Sequence, residues 1–393
     1  MSEKHKHNTI WDYLQWRGDL LMTQDGFNEV DNLLLCIVSY IDFRRITQLY
    51  SFDPADAMPI GDVCALLTEK DEQRGLSPED YIPVMRAMAA SPRFRDVKMF
   101  AFEDSYDEKK VMQFSAVSFL LPDESVFVAY RGTDTTLVGW IEDFNMSFMT
   151  AIPAQLRATE YAVEVAKHTP RRTLRIGGHS KGGNLAAWAA IHLPRKLQEK
   201  RLAAAYNNDG PGFDRSILDS EGYRCVAHKI FTYIPESSLV GMLLEHAEDY
   251  VIVDSTNRSL MQHEPLSWNV RGKQFIYLTQ RSEAARLSDS VIRDWLADLS
   301  REERQAFVET LHQLLSAGGK IKTLDELRAG GLSSGLALIK EYAGADEKKK
   351  KMLSDLMGRL AADTKDELRK AAEEKLKTVG EDFRQALDKW KKT

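Results

Sequence analysis

The sequence has few cysteines, no long apolar run and little net charge. Its three cysteines, Cys36, Cys64 and Cys225, lie far apart without a C-x-x-C pair, which excludes a disulfide framework and a cysteine zinc site. A net charge of −6 provides no basic field, so we expect no nucleic-acid partner. The longest apolar stretch, 33–38, is much shorter than the ~20 residues of a transmembrane helix, and the charged N-terminus is unlike a signal peptide. We therefore expect a cytoplasmic protein.

The composition is that of a globular chain. Apolar residues make up 43% and charged residues 28%, and 393 residues suffice for a large α/β domain with an appendage. Residues 27–50 carry apolar side chains at helical spacing, and five prolines divide 51–96 into short helices. We predict that 1–96 form a helical segment packed on the core.

Strands and helices alternate along residues 97–282. Alternation of this kind predicts a mostly parallel sheet with helices on both faces. The predicted strands are 114–121, 125–132, 173–178, 202–208, 228–234, 250–254 and 274–280, and the predicted helices are 153–168, 181–192, 214–220 and 238–247.

Residues 283–393 have a helical pattern alone and predict a C-terminal extension. One apolar stripe there is formed by Leu368, Ala372, Leu376, Val379, Phe383, Leu387 and Trp390. We expect this helix to fold back on the body, with self-association or a partner helix as the alternative.

The strongest local pattern is LRIGGHSKGGNLA at 174–186, a strand, a glycine turn and an alanine-rich helix. Gly178-His179-Ser180-Lys181-Gly182 fits the G-x-S-x-G nucleophile elbow, in which a strained turn exposes the serine hydroxyl. The alternative is a glycine turn whose serine only caps a helix. Because the pattern follows a strand and precedes a helix, we interpret Ser180 as a nucleophile.

A serine nucleophile needs a base and an acid, which follow it in the order Ser, acid, His in α/β-hydrolases. His263 lies in a loop after the strand YVIVD and is the best candidate for the base. The other downstream histidines lie in helices, at their ends or at a strand start: His192, His228, His246 and His312. Two acids remain open, Asp209 after strand 202–208 and Glu236 after strand 228–234.

An acyl-transfer site also needs an oxyanion hole. The backbone N–H of Lys181 is one candidate donor, and Thr133, in the loop after strand 125–132, is the other. The Lys181 ammonium either attracts an anionic group or points into solvent. We expect Arg131 and Asp143 to be a structural pair.

The segment YRGTDTTLVGWIEDFNMSF at 130–148 resembles the F-R-G-[ST]…W…D segment of class 3 (fungal-type) lipases, and their Gly-His-Ser elbow is similar to GGHSKGGNLA. More closely, 27–280 resemble the bacterial Mbeg1-like family of the α/β-hydrolase superfamily. The likeness implies Thr133 as oxyanion residue, Ser180 as nucleophile and His263 as base. The acid of class 3 lipases does not carry over, because its nearest match is Ser238. Since NNDGPGF at 207–213 is similar to the acid segment of pancreatic-type lipases, we prefer Asp209.

These observations predict an α/β-hydrolase fold and a serine hydrolase that cleaves lipid-like or small carboxylic esters without a metal or organic cofactor. A thioesterase or acyltransferase with the same three residues is one alternative, because all pass through an acyl-enzyme. A catalytically inactive fold that binds or regulates a partner is the other.

Overall fold

The computed structural model describes residues 9–68, 78–107, 109, 112–133, 151–238, 240–257 and 262–281. Within these residues the strands are β1 (Met58–Pro59), β2 (Lys98–Asp107), β3 (Met112–Leu120), β4 (Ser125–Tyr130), β5 (Thr173–His179), β6 (Leu202–Asn208), β7 (Ile230–Pro235), β8 (Tyr250–Val253), β9 (Val270–Arg271), β10 (Gln274–Phe275) and β11 (Tyr277–Leu278). The described α-helices are α1 (Ile10–Arg17), α2 (Glu29–Val38), α3 (Ile60–Ala65), α4 (Pro78–Ala90), α5 (Pro153–His168), α6 (Lys181–His192), α7 (Arg195–Lys200), α8 (Arg215–Leu218) and α9 (Glu221–Val226).

One sheet of nine strands, in the order β1-β2-β3-β4-β5-β6-β7-β8-β11, organises the described residues. The contiguous strands β4 to β8 pair in parallel, whereas β1 to β4 and the β8–β11 edge pair antiparallel. The α/β prediction is confirmed, with a parallel central part and antiparallel edges. Because the carboxyl ends of parallel strands meet at one edge, the loops after β4, β5 and β6 converge there.

Helices cover both faces of the sheet, as the burial of β4 illustrates. Its sequence SVFVAY is buried at every position, as expected for a central strand that has helices on both sides. Successive side chains point to opposite faces. Phe127 and Ala129 join a core that includes α2 and α3, while Val126, Val128 and Tyr130 join a core that includes α5 and α6.

Several predicted elements differ from the observed ones. The sequence pattern does not predict β2, because this strand mixes charged and apolar residues. In the structure its register with β3 shifts between Phe100 and Glu103. The helix expected over 238–247 is only a 3-10 turn at Val240–Met242. The chain beyond it exchanges backbone hydrogen bonds between Glu245 and Phe213, which a continuous helix would prevent.

The helix predicted within 27–50 ends at Val38, and the strand predicted at 274–280 is divided into β10 and β11. The predicted helices of 283–393, including the apolar stripe, lie outside the described residues. None of the described helices combines the length and apolar character needed to cross a bilayer.

Candidate active site

Ser180 lies in a strained turn between β5 and α6. Its φ of 60° and ψ of −133° are unusual for a residue with a side chain, and its N–H donates to the Asn208 carbonyl at 2.9 Å. The turn requires glycine nearby, because a Cβ at Gly178 would overlap the backbone of Gly182. The local sequence therefore holds the Ser180 side chain at the carboxyl edge of the sheet.

Lys181 begins α6 directly after the turn, and its side chain is directed away from solvent. It is 1% exposed, and its ammonium donates to the Gln113 carbonyl and to Gln113 Oε1, each at 3.0 Å. The expectation that this cation points into solvent is therefore wrong. The ammonium instead connects the start of α6 to β3.

Asp209 and His263 are brought together from segments that are 54 residues apart. Asp209 directly follows β6, is fully buried and has a φ of 56°. Its N–H donates to the Tyr233 carbonyl at 2.8 Å, and Gly210 N–H donates to Asn207 Oδ1 at 2.9 Å, which shapes the turn. His263 Nδ1 lies 2.6 Å from Asp209 Oδ2. A carboxylate at this distance fixes the orientation of the imidazole and holds a proton on Nδ1.

The loop that carries Asp209 is held from α6 and α5. Asn184, 1% exposed, donates through Nδ2 to the carbonyls of Pro211 and Gly212 at 3.1 and 3.0 Å. Gln155 Nε2 donates to Asn184 Oδ1 at 2.8 Å. The sequence analysis missed Asn184, although its place in the helix four residues after Ser180 was a usable signal.

The loop at 131–133 lies beside the nucleophile candidate. A Cβ at Gly132 would stand 3.1 Å from Ser180 Cβ and 2.7 Å from the His179 carbonyl oxygen, so this loop passes close to the turn. Thr133 is buried in the same loop. Arg131 pairs with Asp104 at 2.9 Å, and its predicted partner Asp143 lies outside the described residues.

Ser180 and His263 share no hydrogen bond in the part of the chain that is described. The two segments meet through His179, whose ring centroid is 4.6 Å from that of His263. His179 Nε2 lies 2.8 Å from the His263 carbonyl oxygen. Glu236, the other acid candidate, follows β7 and donates its N–H to the Val253 carbonyl, whereas the His263 ring pairs with Asp209.

Two of the other downstream histidines interact with residues outside this site. His192 stacks on Trp188 with centroids 3.9 Å apart. His246 pairs with Glu248 at 3.1 Å. Burial disfavours the Glu248 carboxylate, but hydrogen bonds from His246, Thr232 and Tyr223, with the charge of His246, lower its pKa to about 2. Neither histidine forms a hydrogen bond with Ser180 among the described residues.

Where the chain is described, no group of three or more His, Cys, Asp or Glu residues is arranged to hold a metal ion. The candidate site contains the Ser180 hydroxyl and a buried carboxylate, Asp209, that is paired with the partly exposed imidazole of His263. These groups are suited to proton transfer and nucleophilic attack.

Comparison with known proteins gives one family and several structures. The model of the Mbeg1-like family matches residues 88–313. Lipase structures from Rhizomucor miehei (a native propeptide complex) and from Rhizopus microsporus var. chinensis are 16% and 15% identical to the chain, each with a TM-score of 0.33. The first match covers 53% of this chain and 68% of that one, and the second covers 63% and 84%. No curated protein matches the chain.

Proposed function

We propose that this chain, which belongs to the Mbeg1-like family and has an α/β-hydrolase fold, is a serine hydrolase of carboxylic esters. The observation that carries the proposal is the strained turn at Ser180 at the same sheet edge as a buried carboxylate, Asp209, which lies 2.6 Å from His263 Nδ1. A strand-to-helix turn that only capped a helix would need neither the strain nor this pair.

In this mechanism His263 Nε2 takes the Ser180 hydroxyl proton as Oγ attacks the ester carbonyl carbon. The resulting tetrahedral intermediate loses the alkoxide, which leaves as the alcohol after His263 returns the proton. Water then repeats the sequence on the acyl-enzyme, releasing the carboxylic acid and restoring Ser180. Asp209 keeps the Nδ1 proton in place and stabilises the imidazolium formed in each half-reaction.

The negative charge on the carbonyl oxygen needs donors near Ser180. We assign this role to the backbone N–H of Lys181, at the start of α6, and to Thr133 in the loop beside the turn. The helix start adds its dipole to the first of these. Removing one such donor costs roughly 3–4 kcal/mol of transition-state stabilisation in enzymes of this kind.

The acyl group is a small or lipid-like carboxylic acid in this proposal. A thioester would pass through the same acyl-enzyme and differs only in having a sulfur instead of an oxygen leaving group, which an assay distinguishes. A panel of p-nitrophenyl esters with acyl chains of increasing length, together with matched acyl thioesters, gives both preferences from initial rates.

The test compares wild type with Ser180→Ala and with Ser216→Ala, which changes an exposed serine in α8. We expect a fluorophosphonate probe to add one label at Ser180, detected by intact mass and peptide mapping. The label and p-nitrophenyl ester hydrolysis should both be lost in Ser180→Ala and retained in Ser216→Ala. Equal hydrolysis by Ser180→Ala, or no labelling of folded wild-type protein, would contradict the proposal and favour an inactive binding or regulatory fold.

A further inference from the structure

A tyrosine from the N-terminal part of the chain contacts the residue before the nucleophile candidate. Tyr40 lies two residues after the end of α2, is 6% exposed and packs its ring edge-on against Tyr81. Its hydroxyl lies 3.0 Å from His179 Nδ1 and 3.2 Å from the His179 carbonyl oxygen. The two residues are 139 positions apart, so the contact is a product of tertiary folding.

The partners of His179 determine its protonation. A carbonyl oxygen can only accept, so the Nε2 atom facing the His263 carbonyl at 2.8 Å carries a proton. Burial, followed by the nearby His263, lowers the pKa of His179 well below its ordinary value, which keeps the ring neutral. Nδ1 is then an acceptor, and the Tyr40 hydroxyl donates to it.

The same hydroxyl reaches the loop assigned to the oxyanion hole. A Cβ at Gly132 would overlap Tyr40 Oη, so the backbone of this loop lies directly against the hydroxyl. Burial raises the pKa of Tyr40, so its hydroxyl keeps the proton that it shares with His179. Tyr40 therefore lies against the loop at 131–133 and donates its hydroxyl hydrogen bond to His179.

We propose that Tyr40 and His179 are positioning residues, connected by hydrogen bonds, that set the loop at Gly132 and the backbone of His263 relative to each other. The proposal rests on the proposed serine hydrolase function. The Gly132 backbone packs against Tyr40 Oη, Tyr40 O–H donates to His179 Nδ1, and His179 Nε2–H donates to the His263 carbonyl.

His179 affects His263 through its hydrogen bond and through its lack of charge. The bond from His179 holds the main chain of the loop that carries His263, which keeps Nδ1 aligned with Asp209. A neutral His179 also places no positive charge beside the imidazolium that forms during acyl transfer. A charged ring with its centroid 4.6 Å away would oppose that step.

The kinetic test uses Tyr40→Phe, His179→Leu and His179→Gln. Tyr40→Phe keeps the ring but removes the hydroxyl, and we expect kcat for a p-nitrophenyl ester to fall about tenfold with KM little changed. His179→Leu should lower kcat about 100-fold, since a displaced catalytic group is costly even when binding persists. His179→Gln retains an amide N–H that can reach the His263 carbonyl and should recover part of this loss.

Matched controls separate positioning from folding. Tyr161→Phe removes another buried tyrosine hydroxyl, which donates to the Ala101 carbonyl in the opposite core. His192→Leu removes an exposed imidazole that stacks on Trp188 outside the site. Both controls should change the urea midpoint while kcat stays within about twofold of wild type.

A spectroscopic measurement keeps the inference testable if the hydrolase proposal fails. The His263 Nδ1 proton, in a 2.6 Å bond to Asp209, should give a far-downfield proton resonance, assigned by its loss in His263→Gln. We expect that resonance to shift or broaden in Tyr40→Phe and to disappear in His179→Leu, independently of any turnover. The Ser180→Ala assay run in parallel judges the hydrolase proposal by itself. An unchanged resonance in folded Tyr40→Phe and His179→Leu, or kcat unchanged in both while Ser180 is required, would overturn the positioning role.

Discussion

Asp209→Asn is the substitution that most directly tests the chemistry assigned to this site. Asparagine has the shape of aspartate and tolerates a φ of 56°, so the turn after β6 can persist. The change replaces an acceptor by an amide that can donate to His263. The imidazole then accepts at Nδ1 and carries its proton on Nε2, where it cannot take the proton of Ser180.

Asp209→Asn should lower kcat strongly but change the free energy of unfolding little. A wrong histidine tautomer lowers kcat by about 10⁴, which corresponds to roughly 5 kcal/mol of activation free energy. Stability should change little, because Asp209 Oδ1 is already buried without a hydrogen-bond partner among the described residues. A buried polar atom without a partner lowers the free energy of unfolding by roughly 1–3 kcal/mol. Asp209→Asn also removes a buried charge, and this gain offsets much of the stability lost with the hydrogen bond to His263. We expect the free energy of unfolding to stay within about 1 kcal/mol of wild type.

The assay is steady-state hydrolysis of a p-nitrophenyl ester, with urea unfolding followed by circular dichroism on the same samples. Glu236→Gln is the matched control, since it neutralises the other candidate acid after the next strand. Activity of Asp209→Asn within tenfold of wild type would refute the reasoning. A large loss in Glu236→Gln instead would transfer the role of the acid to that residue.

Three further predictions concern stability. Glu248→Gln should lower the free energy of unfolding at pH 7 by about 3 kcal/mol, because folding lowers the pKa of that carboxyl from 4.5 to about 2. This loss should shrink as the pH falls from 4.5 towards 2, and urea titrations that show no such convergence would contradict it. Arg93→Met leaves the fully buried Asp31 carboxylate without its guanidinium and should cost about 3–5 kcal/mol in urea unfolding; a cost under about 1 kcal/mol would be incompatible with this view of the pair. Gly178→Ala forces a Cβ into the backbone of the turn and should cost at least about 3 kcal/mol. Its control, Gly61→Ala in α3, places a Cβ in open space and should be neutral or stabilising by about 0.5–1 kcal/mol, so similar melting curves for the two variants would argue against the clash.

The turn at Ser180 could be predicted because every residue that forms it is local. Strand, glycine turn and helix lie within 174–186, and the clash that demands glycine at 178 is with the backbone of residue 182. The alternation of β and α elements was likewise a property of neighbouring residues, and the α/β prediction from it is confirmed. The pattern did not reveal β2, which mixes charged and apolar residues and pairs irregularly with β3. The helix predicted at 238–247 is absent from the described residues because Glu245 pairs with the distant Phe213.

The sequence by itself determined where a nucleophile could stand, since the backbone geometry at Ser180 depends on its immediate neighbours. Tertiary packing alone decided which distant groups meet there. It brought Asp209 to 2.6 Å from His263, placed Tyr40 on His179, and buried the Lys181 ammonium against Gln113. The physical reason is that hydrogen bonds and burial act over a few ångströms in space, whereas these partners are separated by 54 to 139 residues along the chain.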